Sequence, residues 1–93
     1  MERRVLNNYQ IEIVLAIGEG KLRASELRAA VGFSENILLR EVRKLVDADI
    51  VRVDRGYTGT NPNIRYHTLT PLGLDVLRAL QRLVGVLERG EAR

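Results

Sequence analysis

FSENILLREVRKLVDADIV, residues 33–51, reads as a helix that runs into a strand. Ser34 is a good N-cap, since its hydroxyl accepts from a first-turn backbone N–H that has no partner within the helix. Leu38, Val42 and Leu45 recur at helical spacing and predict a buried stripe. Asn36, Leu39, Arg40, Arg43 and Lys44 then fall on other faces. The spacing places this helix at about 34–48. Just upstream, Ser25–Val31 reads as a shorter helix closed by Gly32, a residue that tolerates the left-handed conformation past a helix end. Two short helices joined by a tight glycine-containing turn make a helix-turn-helix.

Working outward from that pair, a first helix is expected at about 8–17. Its apolar residues Ile11, Ile13, Val14, Leu15 and Ile17 cover more than one face, which predicts burial on more than one side. Gly18 and Gly20 end it, and Lys21–Ala24 is a short extended piece. In the second helix, at about 25–31, Ser25 is the expected cap and Leu27, Ala30 and Val31 the inward face. Phe33, the single phenylalanine, is expected as a core plug.

Downstream, Ile50–Arg55 alternates apolar and charged residues, as a half-buried strand does. GYTGTNPN, residues 56–63, is dense in turn formers, and Ile64–Thr70 is rich in strand formers again. These runs predict a β-hairpin at about 50–70. Thr70-Pro71 then starts a last helix at about 71–87, because proline lacks only an N–H that the first helical position does not use. The expected architecture is mainly α with a small β-hairpin: one domain over residues 1–93, a winged helix-turn-helix with an added C-terminal dimerisation helix.

Composition narrows the function classes. The chain has 93 residues, 45% hydrophobic and 29% charged, enough for one modest core. It has no cysteine, so a disulfide framework and thiolate metal sites are excluded. Its single histidine, His67, lies on the same side of its strand as Leu69 and has no carboxylate cluster at ligand spacing; no metal or other cofactor is expected. No apolar run spans a bilayer and no signal-peptide pattern opens the chain, so a cytoplasmic setting without membrane contact is expected. Enzyme chemistry is not expected, for no phosphate-binding glycine loop or histidine-serine pair is in view. A net charge of +3 and a pI near 9.8 permit nucleic acid as a partner.

SENILLREVRKLVDADIVR (34–52) and RYHTLTPLGLDVLRAL (65–80) resemble the winged-helix transcription regulators of the MarR, HxlR and PadR type. The resemblance covers most of the chain and implies a homodimeric DNA-binding repressor or activator. Two departures stand out: Leu39 where a small polar residue is usual, and Asp49 where glycine is usual. The cysteine associated with redox sensing in HxlR-type regulators is absent, so that chemistry is not expected.

The candidate DNA contacts follow from residue type and place. On the helix they are Ser34, Asn36, Leu39, Arg40, Arg43 and Lys44: arginine and lysine reach guanine edges or phosphate, asparagine reaches adenine, and leucine can meet a thymine methyl. On the wing they are Arg52, Arg55, Tyr57, Thr58, Asn61 and Arg65, suited to phosphate contacts that set register without reading sequence. Residues 34–49 carry three basic and four acidic side chains, a net of −1 that weakens the electrostatic footprint. The alternative is therefore a winged-helix protein-interaction module with little or no DNA binding. In the last helix Val76, Leu80, Leu83 and Leu87 make one apolar stripe, and Leu74, Leu77 and Val84 a second. Two stripes exceed what one small domain covers, which predicts a two-fold homodimer packed through this helix. No residue identifies a small-molecule effector.

Overall fold

The computed structural model describes residues 6–58 and 61–91, except for the side chains at 57, 58, 61–63 and 91. In order the elements are α1 (Asn8–Ile17), β1 (Lys21–Arg23), α2 (Ala24–Val31), α3 (Glu35–Asp47), β2 (Val51–Thr58), β3 (Asn61–Leu69) and α4 (Pro71–Glu91). This is the winged helix-turn-helix expected from the sequence.

Each boundary has a local cause. Asn7 and Gln10 form a reciprocal capping box at the start of α1: the Asn7 side chain accepts from the Gln10 N–H at 2.9 Å, and the Gln10 side chain accepts from the Asn7 N–H at 3.2 Å. Ser25 does not cap α2. The helix begins one residue earlier, and the carboxylate of Glu26 accepts from the Arg23 backbone N–H at 2.9 Å. Gly32 ends α2 in the left-handed region, at φ 74°. Ser34 caps α3 as expected, accepting from the Ile37 N–H at 3.4 Å.

The far end of α3 organises the second half of the chain. The Ile50 N–H donates to the Leu45 carbonyl at 2.9 Å and the Asp49 N–H to the Val46 carbonyl at 3.0 Å. These are the two bonds of a Schellman closure, with Asp49 as the left-handed residue at φ 62°. The Thr70 N–H donates back to the Ile50 carbonyl at 3.0 Å, and the Thr70 hydroxyl donates to the Asp49 carbonyl. The same hydroxyl accepts from the Gly73 N–H at 2.9 Å, capping α4. Thus the start of α4 is fastened to the end of α3. At Gly73 a Cβ would lie far inside contact distance of the Ile50 carbonyl oxygen, so only glycine fits there.

The sheet is antiparallel with strand order β1-β3-β2. The short extended piece after α1 is a true strand, β1, which pairs with β3 in the register Leu22 opposite His67. β2 pairs with β3 through Val51–Leu69, Val53–His67 and Arg55–Arg65.

The core joins Ile13, Val14 and Ile17 of α1 to Leu27, to Leu38, Val42 and Leu45 of α3, and to Ile50, Val51, Leu69 and Leu77. Two inward assignments are corrected. Ala30 is exposed, because α2 is short and buries only Leu27 fully. Phe33 is half-buried and packs edge-on against Tyr9, with ring centroids 5.1 Å apart, so it closes the rim of the core.

Candidate nucleic-acid interface

The core stripe of α3 fixes which residues can meet a partner. With Leu38, Val42 and Leu45 turned inward, Ser34, Asn36, Leu39, Arg40, Arg43 and Lys44 are all exposed. Asn36, Leu39, Arg40 and Arg43 follow the i, i+3, i+4, i+7 pattern and so share one face. Leu39 is 62% exposed, a large apolar side chain presented to solvent in the middle of that face.

Glu41 departs from the expected picture. It is 1% exposed and belongs to the buried side of α3. Its Oε2 accepts from Asn7 Nδ2 at 3.1 Å and from Gln10 Nε2 at 3.0 Å, tying α3 to the capping box of α1. Its Oε1 faces Arg40 Nε at 3.3 Å and Lys44 Nζ at 3.5 Å. Burial alone would raise the pKa of this carboxyl; the bonds from Asn7 and Gln10, helped by Lys44 and Arg40, outweigh burial and lower it. The buried charge is therefore ionised, and two of the exposed cations are held beside it. Glu35 forms an exposed pair with Arg28 at 3.7 Å. Much of the acidity counted along this helix is thus paired or turned away from the exposed stripe.

The wing divides its arginines. Arg55 and Arg65 stand directly opposite each other across β2 and β3, on the face that carries Val53 and His67. Neither makes an ion pair among the described residues. Arg52 lies on the other face, engaged by Asp54 at 3.0 Å, so the structure does not bring it together with them. The side chains of Tyr57, Thr58 and Asn61 lie outside what the structure describes.

Residues 5–90 match the HxlR-like helix-turn-helix family. The chain belongs to that family. No curated protein matches it. Among solved structures, this HxlR-like chain is similar to a protein described as a MarR-family transcriptional regulator from Porphyromonas gingivalis W83. The identity is 28% and the TM-score 0.73, over 85% of this chain and 76% of that one. It shares its fold with ytfH, described as a transcriptional regulator from Salmonella typhimurium, at 24% identity and TM-score 0.74, over 91% of this chain and 75% of the other. It also shares the fold of AbsC, a MarR family transcriptional regulator from Streptomyces coelicolor, at 23% identity and TM-score 0.76. There the match covers 90% of this chain and 58% of AbsC, so the HxlR-like chain spans little more than half of that relative.

The last helix separates into two halves. Leu77 is 1% exposed and part of the chain's own core, and Leu74, Val76 and Leu80 pack half-buried against it. Leu77 therefore has no surface to offer a second copy, because α4 packs here against α1 and β3. Beyond Leu80 no described residue of α4 is buried. Leu83 at 53% and Leu87 at 58% exposure stand in the open beside Val84 and Val86. No described helix of this HxlR-like chain is long and apolar enough to cross a membrane.

Sequence reasoning missed Glu41 as a contact. The signal was present: position 41 falls between 38, 42 and 45 on the buried stripe, and its charge obscured that placement.

Proposed function

We propose that this chain is a sequence-specific regulator of transcription that binds double-stranded DNA as a homodimer. The observation that carries the reading is the exposed stripe of Asn36, Leu39, Arg40 and Arg43, cleared of the chain's own core by the inward face of α3. The arginines supply phosphate or guanine contacts and Asn36 an adenine contact, while Leu39 meets a thymine methyl. Arg55 and Arg65 on the wing add phosphate contacts that fix the pose. Two copies joined through the outer half of α4 hold their α3 helices at successive major grooves, about 34 Å apart, on an inverted repeat. Glu41 positions Arg40 and Lys44 rather than touching the duplex.

The test begins with selection of bound duplexes from a random pool. Anisotropy titrations then compare the parent with Arg40→Ala on a selected duplex and on a scrambled one. The expected result is a loss of roughly 1–3 kcal/mol on the selected duplex, if Arg40 is bidentate to a base. Equal losses on both duplexes move Arg40 to the phosphate backbone. The exposed Leu39 favours one other reading, a protein-interaction surface; absence of any binding to random duplex at low salt would decide for that alternative.

A further inference from the structure

Arg40 and Arg43 share the exposed stripe of α3 but are held differently. Arg43 makes no ion pair among the described residues, while Arg40 Nε donates to Glu41 Oε1 at 3.3 Å. Adjacent residues of a helix do not ordinarily face each other. This contact exists because the carboxylate is aimed from α1. Its Oε2 is held by Asn7 Nδ2 at 3.1 Å and Gln10 Nε2 at 3.0 Å, and both of those side chains are locked in the reciprocal cap of α1. Oε1 is thereby turned outward, where Arg40 and Lys44 meet it. The Glu41 side chain is 2% exposed and that of Arg40 57%, so a duplex reaches the arginine and not the carboxylate.

Which end of the guanidinium is held decides what it can read. Donation from Nε fixes the plane of the group and leaves Nη1 and Nη2 without a partner among the described residues. Those nitrogens make an end-on fork that matches a pair of acceptors. In the major groove guanine is the base that presents such a pair, O6 and N7. A free arginine loses rotamer freedom when it binds, whereas one already held has less to lose. Lys44 shares the same oxygen, but an ammonium has no fork and suits a phosphate.

We propose that Glu41, oriented by Asn7 and Gln10, is the positioning residue that makes Arg40 a reader of guanine. This deepens the DNA reading above and rests on it. The partner is a duplex with a G·C pair where Arg40 enters the groove. The negative charge of Glu41 lowers attraction to any duplex, while its geometry raises preference for one sequence.

The test uses the full chain and the duplex selected from a random pool, with a scrambled duplex beside it. The base pair read by Arg40 is the one whose preference disappears in Arg40→Ala, and it is expected to be G·C. Glu41→Gln keeps an acceptor for the amides of α1 but turns an NH2 toward Arg40. Its preference for the selected over the scrambled duplex should fall about tenfold, with the scrambled duplex bound at least as tightly as by the parent. A merely structural loss would weaken both. In an Arg40→Ala background the same substitution should leave the preference unchanged, because Glu41 acts through Arg40. Asn7→Ser keeps a helix cap and lacks the amide, so it should shift the preference the same way by a smaller factor, whether or not Glu41→Gln folds. A decisive pair other than G·C would overturn the proposal, as would a preference that survives these substitutions or an effect that persists without Arg40. A parent that binds no duplex ends the DNA reading and this inference with it; a parent whose preference survives in Glu41→Gln and Asn7→Ser ends this inference alone.

Discussion

The carboxylate of Glu41 accepts from Gln10 Nε2 at 3.0 Å across the interface of α1 and α3. A buried carboxylate is tolerated only when its hydrogen bonds are complete, and here Asn7, Gln10, Arg40 and Lys44 surround it. The bonds hold the folded carboxyl below the value of 4.5 expected without them. The contribution to stability is therefore present above that value and is lost as pH falls through the lower folded value. Glu41→Ala is expected to lose roughly 1–3 kcal/mol at pH 7, since the buried Gln10 amide is left without its acceptor and the part-buried bond from Asn7 is lost as well. Urea unfolding at pH 7 and near pH 3 checks this, for the gap between variant and parent should narrow in acid. A gap of the same size at both pH values would mean that Glu41 acts through packing and not through its charge.

The corner between α3 and α4 yields two substitutions of opposite sign. Gly73→Ala drives a methyl group into the Ile50 carbonyl, a backbone atom that cannot swing away. Overpacking of this kind costs roughly 1–3 kcal/mol, and the cost here belongs at the upper end because Thr70 also fastens the same carbonyl. Asp49→Gly, one residue before Ile50, relieves a left-handed backbone at φ 62° and removes a negative charge from the C-terminal end of α3. A gain of about 0.5–1 kcal/mol is expected, which raises the melting temperature by roughly 2–8 °C in a domain of this size. Thermal melts of the two variants should move in opposite directions; movement in the same direction would contradict this account of the corner.

The difference between those sites and others shows what the sequence could convey. The stripe of Leu38, Val42 and Leu45 is a local period, and all three are buried in α3. Thr70-Pro71 was equally legible, because a cap and a proline act within one turn. Glu41 was obscured by its charge, since its burial depends on Asn7 and Gln10 more than thirty positions away. β1 is three residues long and owes its strand state to β3, so nothing within it announces the pairing. The two apolar stripes of α4 were visible, but periodicity does not say where the chain's own core ends. That limit falls near Leu80, which is why Leu77 was grouped with residues it does not accompany. The buried Nδ1 of His67, which has no hydrogen-bond partner, is a property of the assembled fold and has no sequence signature.

The exposed half of α4 carries the dimer proposal, and introducing charge there is a direct test. Leu83→Glu with Leu87→Glu places two carboxylates where Leu83 and Leu87 now stand exposed. Sedimentation of the parent at micromolar concentration should give twice the 10.5 kDa of one chain, and the double variant should sediment as one chain. Each buried leucine removed from an interface centre is expected to weaken association by roughly tenfold or more, and an unpaired buried charge by more still. Neither residue touches the chain's own core, so circular dichroism should keep its helical signal. A parent that sediments as a single chain would remove the second copy from the DNA reading.

Arg55 and Arg65 face each other across β2 and β3 with no acidic partner among the described residues. Like charges directly opposite in a sheet destabilise it, by up to about 1 kcal/mol. A phosphate between them reverses that sign. Arg55→Ala should therefore have two consequences that a merely solvated arginine would not produce together. The free chain should become slightly more stable, and binding to any duplex should weaken with a salt slope smaller by about 0.9, the contribution of one phosphate. Arg52→Ala is the control: its side chain lies on the opposite face and is already paired with Asp54, so it should leave the slope unchanged. If Arg52→Ala lowers the slope and Arg55→Ala does not, the duplex lies against the other face of the wing.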